Sequence, residues 1–375
     1  MKILFLSALP IFQQAKKDMY IDLIEKEYEV ILLSLKKLLD KDYSLVDEIP
    51  GCCTIESMHE LEEKFKSITD KKIIITDLKI KYLKNFYKLI KKYDIDIIHM
   101  SKNYSLNSII DSNEESLVDN KLFRKIKVRV KKISPIVWVY NLIKYGSCKY
   151  DYFLSENNYY PYNSKKYVKI HHLKYDEFLA AKNEAPIIKT KYILFIDSYL
   201  PFHPDFTYHL KTDSIEPIKY FKLLNEFFKY LEDKYGLEVV ISAHPKADYE
   251  SDTFNGKKII KYHTATLIKH SEFVITHNST SIYNVVLENK PLILLYYDEM
   301  FEKGTRRVAI GTLAYSRLLN SSLVNLEKSY EHSLRIDSQA YNDFKYKYIV
   351  NKERERQSNE NLLLEFLRDY NAIKS

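Results

Sequence analysis

The stretch "VITHNSTSIYNVVLENKPLILL", Val274 to Leu295, holds three patterns in close succession. A β-branched apolar run stops at Thr276, a polar turn follows, an amphipathic segment starts near Ser281, and Pro291 opens a second apolar run. Strand, helix and strand in that order build a parallel sheet. Ligands of open parallel sheets gather beyond the carboxyl ends of the strands. The turn of Asn278, Ser279, Thr280 and Ser281 therefore predicts an anion site, made of hydroxyls and the backbone N–H groups of a helix start and suited to phosphate. The alternative is a helix N-cap and nothing more.

The same alternation extends outward. Upstream lie the strand "YILFID" from Tyr192, a long helix within 215–235, the strand "LEVVISA", a short strand at "KIIKY" and the helix "TATLIKHS". The first half repeats the pattern with strands "KILFLSA", "YEVILLSL", "KKIIITDL", "IDIIHMS", "KYDYFLSE" and "KYVKIHHL", and helices "QAKKDMYIDLIEKE" and "IKYLKNFYKLIKKY". A polar, proline-containing stretch at "KNEAPIIKTK" breaks the series near Asn183. The expected fold is α/β, with two Rossmann-like domains over 1–185 and 186–350 facing across a cleft. A charged C-terminal helix over 351–375, carrying an apolar stripe, is expected to pack across the domain junction.

Composition bounds the function. The chain has 375 residues, 46% hydrophobic and 29% charged, enough for two cores and without an apolar run of membrane-spanning length. The apolar start runs at once into an acidic, amphipathic segment with no small-residue cleavage site, so it reads as a first strand and the protein as cytoplasmic. Cys52, Cys53 and Cys148 match no disulfide framework and no zinc spacing. A net charge of +7 from 58 basic and 51 acidic residues is modest and calls for no nucleic acid. The basic segment Arg124–Lys132 is either a solvated face or a peripheral contact with the inner membrane.

Two more strand ends carry chemistry. His244, Pro245 and Lys246 follow "VVISA" where an ordinary polar loop would serve, and with the Ser-Thr-Ser turn they suggest a nucleotide phosphate. In "YILFIDSYLPFHPDF" a strand ends at Asp197 and continues through His203 to Asp205. A carboxylate there can act as general base or as nucleophile, with Asp197 first and Asp205 second; a capped, proline-fixed turn is the alternative. His171, His172 and Glu156 end first-half strands without a third metal ligand, and Asp40/Asp42 and Asp94/Asp96 read as solvated or structural. No glycine-rich phosphate loop and no GxGxxG follows any strand.

Two Rossmann-like halves and the turn "HNSTSIYNVVLENKPLILL" resemble the GT-B glycosyltransferases. The His244-Pro245 and Ser279-Thr280 pairs are similar to the HP and S/T motifs of bacterial sialyltransferases and Kdo transferases, where these residues contact the CMP part of the donor. The resemblance covers mainly 190–300. It implies a donor-binding second domain, an acceptor-side first domain, and a metal-independent transfer of an acidic sugar from a CMP-sugar to a surface glycan, with no cofactor beyond the nucleotide sugar. Many UDP- or GDP-sugar enzymes of this fold carry Glu-Ala early in this helix, the glutamate binding ribose; here Asn284-Val285 stand there, with Glu288 one turn later. UDP-sugar or CDP-glycerol transfer, UDP-sugar 2-epimerisation and non-catalytic nucleotide binding remain as alternatives, and oligomeric state stays open.

Overall fold

A computed structural model of the chain describes residues 1–8, 11, 16–17, 19–39, 49–100, 148–156, 164–203, 214–250 and 252–374. Asp40, Asp42, Arg124–Lys132 and Asp205 lie outside the described residues. The chain divides into two compact units: the second is continuous over Lys174–Val350, and the first ends at Leu173 and resumes at Asn351.

The first unit holds β1 (Lys2–Ser7), β2 (Glu29–Ser34), β3 (Cys53–Thr54), β4 (Lys72–Thr76), β5 (Asp96–Met100), β6 (Tyr150–Ser155) and β7 (Ser164–Lys169), with helices α1 (Ile21–Ile24), α2 (Met58–Ser67) and α3 (Ile80–Lys92). Their order is β3-β2-β1-β4-β5-β6-β7, all parallel. The central strands are apolar on both faces, as a sheet covered on both sides requires. In α3, Ile80, Leu83, Phe86 and Ile90 form one buried stripe at helical spacing. The single helix that the pattern of 14–27 predicts is interrupted at Tyr20, which sits at φ 54°, a left-handed conformation, and α1 starts after it at Ile21.

The second unit begins with α4 (Leu173–Ala181) and continues through β8 (Tyr192–Ile196), α5 (Pro217–Tyr235), β9 (Glu238–Ser242), β10 (Ile259–Ile260), α6 (Thr264–His270), β11 (Phe273–Thr276), α7 (Ile282–Leu287), β12 (Leu292–Tyr296), α8 (Arg306–Leu319), β13 (Ser322–Asn325) and α9 (Ser338–Phe344). The sheet order is β10-β9-β8-β11-β12-β13, again all parallel. α5 shows how sequence fixes an element: Pro217 opens it, the Glu216 carboxylate accepts from the N–H groups of Ile218 and Lys219, and Gly236 closes it at φ 64°. Its buried face, Tyr220, Leu224, Phe227, Phe228 and Leu231, packs on the sheet. Each such side chain stabilises the fold by about 1.5–3 kcal/mol.

The division of the chain differs from the polar break near Asn183. Tyr175 of α4 is buried in the core of the second sheet, and Lys269 donates to the carbonyl of Ala181 at 3.0 Å, so α4 belongs to the second unit. The C-terminal helix α10 (Asn359–Lys374), expected at the junction, packs on the first sheet. Leu363, Leu367 and Tyr370 join the core that contains Ile3 and Phe5, and the Tyr370 hydroxyl donates to Asp96 at 2.9 Å.

Candidate functional site

Because every strand of the second sheet is parallel, all carboxyl ends meet at one edge. β8 is followed by β9 and β10 on one side and, after the chain returns, by β11, β12 and β13 on the other. The order reverses between β8 and β11, which is where an open α/β sheet leaves a crevice for a ligand. The residues leaving β8, β9 and β11 are therefore the ones that meet there.

Asp197 leaves β8 as a buried carboxylate, only 4% exposed. Its Oδ1 accepts from the Tyr199 N–H at 2.8 Å, and its Oδ2 accepts from the His244 N–H at 3.2 Å and the Tyr249 hydroxyl at 2.8 Å. The Asp197 N–H donates to the carbonyl of Ser242 at 3.0 Å. Burial pushes its pKa above the ordinary carboxylate value, and these accepted hydrogen bonds oppose the rise. The geometry makes Asp197 a tie between the turns after β8 and β9.

His244 leaves β9 half-buried, with Pro245 and Lys246 exposed beside it. Its Nδ1 accepts from the Lys246 N–H at 3.2 Å, and the Ala247 N–H donates to its carbonyl at 2.9 Å. With Nδ1 accepting, the neutral ring carries its proton on Nε2 and presents a donor. The ring lies parallel to Tyr199, with centroids 6.4 Å apart, and edge-on to His203 at 4.9 Å. His203 is thus brought to His244.

The turn after β11 is built differently from the expectation. Ser279 Oγ accepts from the Ser281 N–H at 3.2 Å, and the N–H groups of Ile282 and Tyr283 donate to the carbonyls of Ser279 and Thr280, both at 3.2 Å. The helix-start N–H groups expected to hold an anion are thus already paired. α7 has six residues, about 9 Å by helical rise, so its dipole is small. What this turn offers is hydroxyl donors: Ser279 and Thr280 are half-buried, as is Asn278, while Ser281 is buried. The neighbouring His277 is a core residue. Its Nδ1–H donates to Leu295 at 2.7 Å, its Nε2 accepts from the Tyr220 hydroxyl at 3.1 Å, and burial pulls its pKa down to about 4.

Three features at this edge escaped the sequence reading. The Ser198 hydroxyl, directly after Asp197, is out of reach of water and has no hydrogen-bond partner among the described residues. Buried polar groups are normally paired, which makes this hydroxyl an exception at the edge of the sheet. Tyr262, just beyond β10, is 74% exposed and held at φ 67°. Beyond β12 and β13 lies a cavity of about 530 Å³ lined by Lys219, Asp298, Glu299, Lys303, Glu327 and Lys328, in which Lys219 pairs with Glu327 at 2.6 Å. Of these, only the exposed Tyr262 between "KII" and a helical run had any signal in sequence.

The remaining candidates belong to the first unit. Glu156 follows β6, His171 and His172 follow β7, and all three are buried. His172 Nε2 lies 3.5 Å from Glu156 Oε2. His171 is locked into the C-terminal segment: Nδ1 accepts from the Asn351 N–H at 3.0 Å, its own N–H donates to Asn359 Oδ1 at 2.7 Å, and burial pulls its pKa down to about 4. Among the described residues no group of three His, Cys, Asp or Glu side chains could hold a metal, and no helix is long and apolar enough to cross a membrane. The three cysteines are free thiols.

No protein-family model and no curated protein matches the sequence. Among solved structures, the calicheamicin glycosyltransferase CalG4 superposes with a TM-score of 0.53 at 10% identity, covering 100% of both chains. The spinosyn forosaminyltransferase SpnP gives 0.47 at 10% identity over 98% of each chain. The UDP-GlcNAc 2-epimerase of Methanocaldococcus jannaschii, solved with UDP-GlcNAc and UDP, gives 0.40 at 12% identity over 91% of this chain and 97% of that one. At such identities the likeness to CalG4 is one of fold: two parallel-sheet α/β domains of the GT-B glycosyltransferase type.

Proposed function

We propose that the second unit binds a cytidine nucleotide and that the chain transfers an acidic sugar, Kdo or a nonulosonic acid, from a CMP-sugar to a cell-surface glycan. One observation carries the reading: the His-Pro-Lys and Ser-Thr-Ser turns leave β9 and β11, the two strands that flank β8 at the crevice. A CMP donor carries a single phosphate. The His244 Nε2–H, the Lys246 ammonium and the hydroxyls of Ser279 and Thr280 supply enough donors for it without a divalent ion.

In the transfer, a general base takes the proton of the acceptor hydroxyl as its oxygen bonds to the anomeric carbon, the bond from that carbon to the CMP phosphate oxygen breaks, and the phosphate keeps the electron pair. His244 stabilises the charge that develops on the phosphate. Asp197 acts by setting the turn that aims His244, and the base or nucleophile falls to Asp205, with His203 beside His244. Tyr262 offers an aromatic face for the base.

Calorimetric titration tests this. CMP is expected to bind more tightly than UMP or GMP, and His244→Ala to weaken CMP by about tenfold, the effect of one lost hydrogen bond to phosphate at about 1–3 kcal/mol. Tighter UMP binding would replace the CMP-sugar by a UDP-sugar donor. Unchanged affinity in His244→Ala would reduce the histidine to a turn residue.

A further inference from the structure

Among the described residues, the non-glycine residues held at a positive φ are of two kinds. Asp94, Asn255, Asn289 and Asn320 belong to types that tolerate the left-handed region through local hydrogen bonds of a short polar side chain. Tyr20, Tyr199 and Tyr262 do not, since a tyrosine there drives its Cβ toward the following carbonyl oxygen. Tyr199 and Tyr262 both stand at the carboxyl edge of the second sheet, after β8 and β10. Such strain persists only where the surroundings over-determine it, and it gathers where a side chain must be held in one place.

Tyr199, at φ 52°, shows what the strain achieves. Asp197 grips two turns with one carboxylate: Oδ1 takes the Tyr199 N–H and Oδ2 the His244 N–H. This fixes both backbones and leaves the imidazole to turn about its own side-chain bonds. The Lys246 N–H on Nδ1, at 3.2 Å in an exposed turn, is a weak restraint on that rotation. The Tyr199 ring supplies a flat wall. It lies within 6° of parallel to the imidazole and is backed edge-on by Tyr249 at 5.3 Å, whose hydroxyl closes the circuit on Asp197 Oδ2 at 2.8 Å. A glycine at 199 would remove the backbone strain and the wall together.

We infer that Tyr199 is the positioning residue for the His244 imidazole: the left-handed turn held by Asp197 delivers the phenol ring against it and keeps Nε2 turned toward the nucleotide phosphate. The inference rests on the nucleotide reading above and adds a residue that acts only through His244. The flat ring does the positioning, so phenylalanine serves as well as tyrosine. The competing role is packing against Phe202 and Tyr249 alone, 5.6 and 5.3 Å away, which would brace the turn without regard to His244.

Calorimetric titration of the full chain with CMP, in wild-type and His244→Ala backgrounds, separates these. Tyr199→Phe is expected to bind CMP within about twofold of the wild type. Tyr199→Gly is expected to lower the affinity about fivefold, with little change in the unfolding midpoint because relief of strain offsets lost packing. Tyr199→Leu, which keeps an apolar side chain in the turn, guards against loss of the fold and is expected to lower the affinity about threefold. In the His244→Ala background each substitution is expected to change CMP affinity by less than about twofold. A Tyr199→Gly loss of the same size in both backgrounds overturns the assignment and leaves the nucleotide reading standing. So do wild-type affinity in Tyr199→Gly and a Tyr199→Phe as weak as Tyr199→Gly. A wild type that binds no CMP overturns both.

Discussion

At the carboxyl edge of the first sheet, Glu156, His171 and His172 are buried and turned on one another or on the C-terminal segment; at that of the second, His244, Ser279 and Thr280 are half-exposed and Pro245 and Lys246 stand in solvent. Both sheets are parallel and doubly wound. Topology places a crevice in each, and the polar side chains decide which edge is open to a ligand. In the first unit Asn359 spans His171, accepting from its N–H at 2.7 Å and donating to its carbonyl at 3.0 Å, and donates also to the Tyr20 hydroxyl at 3.1 Å. In the second, the buried Asp197 holds up a turn whose imidazole faces outward. On the proposed reading, polar groups at the first edge act on stability and those at the second on binding.

The strongest test of that contrast is Asp197→Ala. Two backbone N–H groups and the Tyr249 hydroxyl lose their acceptor, so stability should fall by about 3–5 kcal/mol. CMP affinity should fall more than tenfold at temperatures where the variant is still folded. Denaturant unfolding and calorimetry measure the two effects, and a variant that loses stability while binding CMP normally would make Asp197 a core residue only. Asn359→Ala should cost about 2–3 kcal/mol in unfolding free energy and leave CMP affinity unchanged. A loss of CMP affinity there would break the division between the two edges.

A smaller effect comes from pH. His99, His171 and His277 are buried and neutral, their pKa values pulled down to about 3, 4 and 4 by desolvation. Each protonates near 6.5 when the chain unfolds, so between pH 6.5 and about 4 the unfolded state binds more protons. Stability should be fully present above pH 6.5 and decline as pH falls toward 4, with a limiting slope of about 1.4 kcal/mol per pH unit for each histidine. Unfolding midpoints measured across that window check the sign. A midpoint that rises on acidification would mean that these rings are charged in the fold.

Much of this was legible in the sequence, and the rest was hidden for identifiable reasons. The apolar runs of β1, β4, β8 and β12 are long enough to show a strand, and Gly236 and Pro217 mark the ends of α5. β3 and β10, two residues each, are too short to carry a period. α2 is marked in sequence only by Ser57, whose Oγ accepts from the Glu60 N–H at 3.1 Å. The unit boundary followed the burial of Tyr175 rather than the polar stretch near Asn183, because contacts and not composition decide where a helix belongs. His244 and the Ser-Thr turn could be placed from strand ends alone. The partners of Asp197 could not, since Tyr249 and His244 reach it only once β8 and β9 pair.

The position of CMP in crystals of the full chain soaked with the nucleotide tests the central claim most directly. The account predicts the phosphate at the carboxyl edge of the second sheet, within hydrogen-bond distance of His244 Nε2 and of the hydroxyl of Ser279 or Thr280. CMP bound elsewhere, beside Glu156 and His172 of the first sheet or in the charged cavity beyond β13, would contradict it.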